Sequence, residues 1–122
     1  MKTEDILLLD LREKENEEII RRVLCKIKPL KRYEDKEGPV PLESIEKVIS
    51  AMVKKYNITV QYIMPSYVHK FNFYSVSLMG AKEFNHLGSV FGHTLYEAYA
   101  KTLIKMYSLV KQGVVEEREC ES

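Results

Sequence analysis

The stretch from Leu42 to Val110 constrains this chain most, because its hydrophobic period switches twice. Ile45, Val48, Ile49, Met52, Val53 and Tyr56 recur three and four apart, which puts them on one face of a helix. From Ile58 the period drops to two. Ile58, Val60, Tyr62 and Met64 fall on one side, with Thr59 and Gln61 opposite, as in a half-buried strand. After Thr94 the helical spacing returns in Leu95, Ala98, Tyr99, Thr102, Leu103, Met106, Tyr107 and Val110. Such a chain must bury one face of a small sheet against helices. The expected fold class is α+β, an antiparallel sheet of two or three strands packed with amphipathic helices in the order α-α-β-β-β-α.

The 122 residues suit one domain, and 45% apolar content can supply its core. Within it the expected parts are an N-terminal helical segment (1–30), a linker loop (31–41), the α-β-β-β-α core (42–113) and an acidic tail (114–122). The run Ile6 to Leu11 is too short to choose between a helical turn behind Thr3 and a strand. Asn16, followed by Glu17 and Glu18, is the expected N-cap of a helix carrying Ile19, Ile20, Val23, Leu24 and Ile27, which Pro29 should end. Gly38-Pro39 and Pro41 mark the loop, Pro41 or Leu42 opens the next helix, and Asn57 is its expected C-cap.

The strand region predicts a break at Pro65-Ser66, a second strand from Lys70 to Met79, a turn at Gly80–Glu83 and a third strand from Phe84 to Phe91. In the second strand Phe71, Phe73, Ser75 and Ser77 share one side, and Tyr74, Val76 and Leu78 the other. Bulk on both sides leaves the buried face open. Thr94-x-x-Glu97 is a capping box at the start of the last helix, and Gly113 is its natural stop.

Net charge is +1, so overall balance points to no polyanionic or polycationic partner. Two cysteines are too few for a disulfide framework and are expected to be free thiols. No stretch has the length or apolarity of a membrane-spanning helix, and the first residues do not read as a signal peptide. The cytoplasm is the expected compartment.

Motifs for catalysis are absent. His69, His86 and His93 are 17 and 7 residues apart, without the short spacing of a metal site. No serine lies in a Gly-x-Ser-x-Gly elbow, and no paired carboxylates fall in the strands. A non-enzymatic protein with no metal and no cofactor is expected. Three groups remain as binding candidates. Arg21, Arg22, Lys26, Lys28, Lys31 and Arg32, with Lys101 later, are candidates for nucleic-acid phosphates. Gly92, His93 and Thr94 open a helix, where free N–H groups and the dipole suit an anion. Tyr62, Phe71, Phe73 and Tyr74 lie on strands, where an uncovered face would meet a protein partner or a second copy. The leading expectation is a small binding protein whose partner is another protein or itself. A duplex RNA or DNA backbone and a small anionic ligand are the alternatives, and no membrane is expected as a partner.

Two resemblances accompany this reading. The order helix, three strands, helix is similar to the double-stranded-RNA-binding domain, with Pro65-Ser66-Tyr67-Val68-His69 like its inter-strand loop and Gly88, Gly92, Thr94 and Ala98 like the residues opening its last helix. That resemblance implies the fold. Leu95 and Tyr96 stand where that family carries its two phosphate-gripping lysines. The same order also resembles small α-β-β-α sandwich proteins of phages and mobile elements of gut bacteria, which implies no activity.

Overall fold

The computed structural model describes residues 2–68, 71–82 and 84–119. It is an α+β fold with a three-stranded antiparallel sheet in the order β1-β2-β3. Helices α1 (Thr3–Leu7) and α2 (Lys14–Cys25) come first, followed by a 3₁₀ helix (Lys28–Tyr33) and α3 (Leu42–Lys55). Strands β1 (Ile58–Val68), β2 (Phe71–Gly80) and β3 (His86–Gly92) then lead into α4 (Leu95–Lys111).

The run after Thr3 resolves as helix, but α1 lasts only five residues. Helix α2 begins two residues before the expected cap at Asn16, and Glu13 occupies the N-cap position without a side-chain hydrogen bond. Asn16 instead donates to the Asp10 carbonyl at 3.0 Å, tying α2 to the segment before it. The helix stops at Cys25, short of the expected stripe residue Ile27, whose extended backbone is the N-cap of the 3₁₀ helix that follows, and Pro29 sits in that helix's first turn. Proline's missing N–H costs nothing there. Helix α3 begins at Leu42 as expected, while Tyr56 rather than Asn57 is its C-cap.

Strand β1 runs through Pro65 rather than ending there. The register slips between Ile63 and Ser66, so the proline falls at an irregularity where a missing donor is tolerated. Strand β3 starts at His86, two residues late, and slips against β2 between Leu78 and Met79 next to Gly88, whose φ is +135°. Ala81 and Lys82 turn as expected; Glu83, His69, Lys70 and Cys120 lie outside the described residues.

Helices α3 and α4 cover one sheet face. On it Ile58 and Leu78 join Ile20, Leu24, Ile45, Leu103 and Met106 in one fully buried core, and Val76, Val90 and Ala98 form a small cluster beside it. The buried face of β2 is therefore the one carrying Tyr74, Val76 and Leu78. Each fully buried aliphatic side chain contributes roughly 1.5–3 kcal/mol.

Residues 31–41 are anchored to the body. Val40 is buried, and its carbonyl accepts the Tyr96 hydroxyl at 2.5 Å. The described part of the acidic tail, residues 114–119, is docked as well. Val115 is buried, Tyr56 bridges Glu117, and Arg118 donates from Nε to the Val53 carbonyl at 2.8 Å. Val53 belongs to the last turn of α3, whose carbonyls lack partners within the helix, so Arg118 acts as a C-terminal cap.

Candidate functional site

The start of α4 shows what the sequence motif builds. Thr94 is the N-cap, and its hydroxyl accepts the Glu97 N–H at 3.1 Å. In a capping box the glutamate reaches back to the N-cap N–H. Here it reaches further. Glu97 is 1% exposed, its Oε2 accepts the His93 N–H, and its Oε1 accepts the Leu11 N–H at 2.8 Å. Lys101 Nζ lies 3.2 Å from the same Oε1. The negative charge expected from a ligand at Gly92, His93 and Thr94 is thus supplied by the chain itself. Gly92 is needed for this close packing, since a Cβ there would stand 2.5 Å from the Ala98 nitrogen. The exposed His93 ring faces Asp10 Oδ2 at 3.8 Å and Arg12 Nη2 at 3.4 Å. Arg12 grips Asp10 through its side chain and backbone N–H, which holds that carboxyl well below the usual carboxylate range.

The seven candidate phosphate ligands do not form one surface. Lys101 is only 4% exposed and belongs to the Glu97 pair, so it is withdrawn from any phosphate. The apolar residues around it on α4 put it on the packed side of the helix. Arg21 is committed as well. Its Nε donates to the Gly38 carbonyl at 2.9 Å, and its Nη2 donates to the carbonyls of Tyr33 at 2.9 Å, Glu34 at 3.3 Å and Lys36. It ties the 31–41 loop to α2. Arg32 lies 4.9 Å above the Tyr33 ring, and Arg22 pairs with Glu18 at 3.3 Å. Lys26, Lys28 and Lys31 are exposed.

The aromatic candidates divide between the two sheet faces. Tyr74 packs against Val76, Val90 and Ala98 on the helix side, so it is removed from the open face. Phe73 lies on that open face, beside Phe91, with ring centroids 6.0 Å apart and planes at 66°. Register pairs Tyr62 with Val76 and Phe71 with Val68, and their side chains fall outside the described residues. Phe91 was not among the expected interface residues, although it is 55% exposed. Its alternation with buried Val90 is the signal that could have found it.

Across the open face, register aligns Thr59 with Met79, Gln61 with Ser77, Ser77 with Ser89, and Ser75 with Phe91. Ser77 and Ser89 hydroxyls lie 3.3 Å apart, and Ser89 meets His86 Nε2 at 3.1 Å. Among the described residues this face carries no Asp, Glu, Lys or Arg, with His86 its one titratable group. At its end a groove of 420 Å³ runs between Phe73, Phe91 and the Leu7–Leu9 segment, where Leu8 is 83% exposed, and Asp10, His93, Glu97 and Lys101 also line it.

Among the described residues no cluster of three or more His, Cys, Asp or Glu could hold a metal ion. No described helix is long and apolar enough to cross a membrane. Cys25 is buried, which pushes its thiol pKa up and makes it a core hydrophobe rather than a nucleophile. No known protein family matches this chain, and no curated protein or solved structure is significantly similar to it.

Proposed function

We propose that this chain is a non-enzymatic binding protein that recognises another protein, in the first instance a second copy of itself, through the open face of its sheet. The observation that supports this reading is the open sheet face that carries Phe73 and Phe91, whose described strand residues include no Asp, Glu, Lys or Arg. Charged residues make up 30% of the chain, so a whole described sheet face without Lys, Arg, Asp or Glu departs from the rest of the surface. Interface centres are depleted in charge and enriched in aromatic side chains. A two-fold contact sets the same patch against itself, and an uncharged patch meets its own copy without like-charge repulsion. Leu8 and Phe91 extend the apolar area along the same end of the sheet.

Light scattering across a concentration series tests the proposal. The wild-type chain should give a dimer, and Phe91→Lys should give a monomer with an unchanged circular-dichroism spectrum. A wild-type chain that stays monomeric at about 100 µM, a concentration that detects even weak association, would overturn it.

A further inference from the structure

Helices α2 and α4, with Thr3 and Ile6 of α1, leave a second groove, of 710 Å³, on a different side of the molecule. The apolar stripe of α2 is wider than its contact with the core. Ile20 and Leu24 are buried, while Ile19 and Val23, one turn apart, are only partly covered. Tyr107 on α4 is left partly covered in the same way, above buried Ile104. Each helix thus presents a row at helical spacing to the groove, Ile19 and Val23 on α2 with Lys26 at its C-cap, and Ile104–Tyr107–Lys111 on α4. Two such rows flanking an unfilled apolar floor form the wall against which a third amphipathic helix packs.

The rim selects the charge of that helix. Arg22, Lys26 and Lys111 line the groove, and among the described residues no acidic one does. Lys111 Nζ lies 5.8 Å from the Tyr107 ring centroid, at the groove edge. The Arg22–Glu18 pair is exposed and contributes little, so it gives way readily to another carboxylate. A nucleic-acid backbone would satisfy the cations but leave the aliphatic floor in water.

We infer that this groove takes an acidic amphipathic helix of a partner protein. Its apolar side rests on Ile19, Val23 and Tyr107, and its carboxylates face Arg22, Lys26 and Lys111. The site is separate from the open sheet face and does not depend on it.

The test is fluorescence anisotropy with a labelled peptide of about 16 residues, long enough for about four helical turns. The peptide carries leucines at i, i+3, i+4 and i+7 and glutamates at its other positions. Saturable binding is expected, weakening with salt. It should fall by at least about tenfold in the double variant Lys26→Glu with Lys111→Glu, whose two side chains are exposed and whose fold is checked by circular dichroism. Val23→Ser should weaken binding too, and a peptide with lysines in place of the glutamates should not bind. The inference is overturned if the acidic peptide fails to bind at low salt, or if the charge-reversed variant or the lysine peptide binds equally well. Binding of phosphatidylserine vesicles or duplex RNA in the peptide's place also overturns it. Self-association is read separately by light scattering, so failure of either proposal is seen without the other.

Discussion

Glu97 and Lys101, one turn apart on α4, form an ion pair in which neither side chain is more than 5% exposed. The pair is not self-contained, because Glu97 also holds the N–H groups of Leu11 and His93. Removing the two partners should therefore have unequal effects. Glu97→Ala leaves a buried ammonium and two backbone donors unpaired, and should cost about 3–5 kcal/mol. Lys101→Met leaves the carboxylate with its two backbone donors and should cost clearly less. Urea unfolding of the two variants checks the order, and equal losses would contradict it.

Gly92 sits where the chain turns from β3 into α4, and the first turn of that helix crowds it. Gly92→Ala forces a methyl group against backbone that cannot move aside as a side chain would. A loss of about 1–3 kcal/mol is expected, of the size seen on overpacking a filled interior. Thermal denaturation measures it. Gly38→Ala, at a position with open space around it but a φ of +86°, offers a contrast in which backbone strain alone acts.

Arg21 holds the loop after the 3₁₀ helix through four carbonyl groups. Arg21→Lys keeps the charge but loses the forked geometry, so it should not rescue Arg21→Ala. Both variants should speed proteolysis and amide exchange between residues 34 and 39 while leaving exchange in α4 unchanged. Hydrogen exchange resolved by mass spectrometry reads this directly.

Burial pushes the Tyr96 phenol pKa up to about 12, with Glu17 adding to the effect. A phenol in the unfolded chain loses its proton near pH 10. The folded state therefore keeps a proton that the unfolded state releases. This contribution to stability is complete below about pH 10 and disappears as the pH rises through about 12. Tyr96→Phe should flatten the fall in stability across that window relative to wild type. At neutral pH it should cost about 0.5–1.5 kcal/mol for the lost bond to the Val40 carbonyl. Denaturant midpoints compared at pH 7 and pH 11 separate the two effects.

Arg118 caps α3 from outside the helix, with Nη2 also reaching the Ile58 carbonyl at 3.3 Å. Arg118→Ala should cost about 1–2 kcal/mol, the scale of a lost cap, and should loosen the tail before the rest of the fold. Enhanced cleavage after Val114, with near-wild-type exchange in the core, is the expected outcome.

What the sequence disclosed was local. The Thr94–Glu97 box and the stop at Gly113, with its φ of +75°, each depend on neighbours within a few residues, and each stands where the residues point. Strand alternation gave the α+β class but left the buried face of β2 open, because Phe73 and Tyr74 are similar in bulk. Tertiary contact with α4 settles that choice in favour of Tyr74. The fate of Lys101 was hidden for another reason. Its spacing from Glu97 suits an exposed pair as well as a buried one, and only Leu11, 86 positions away from Glu97, shows why the carboxylate is held inside. The tail reads only as acidic, because four glutamates surround Arg118, and nothing local reveals that the arginine meets the end of α3.

The bond from Leu11 to Glu97 also bears on how the molecule is made. Helices α1 and α2, with Ile6, Ile20 and Leu24, leave the ribosome well before Leu103 and Met106 of the same buried cluster. Until α4 emerges, that N-terminal arm has neither its apolar seat nor the carboxylate that receives it. Closure of the fold therefore waits on α4, and a chain halted before Thr94 would hold α1 and α2 without a finished core.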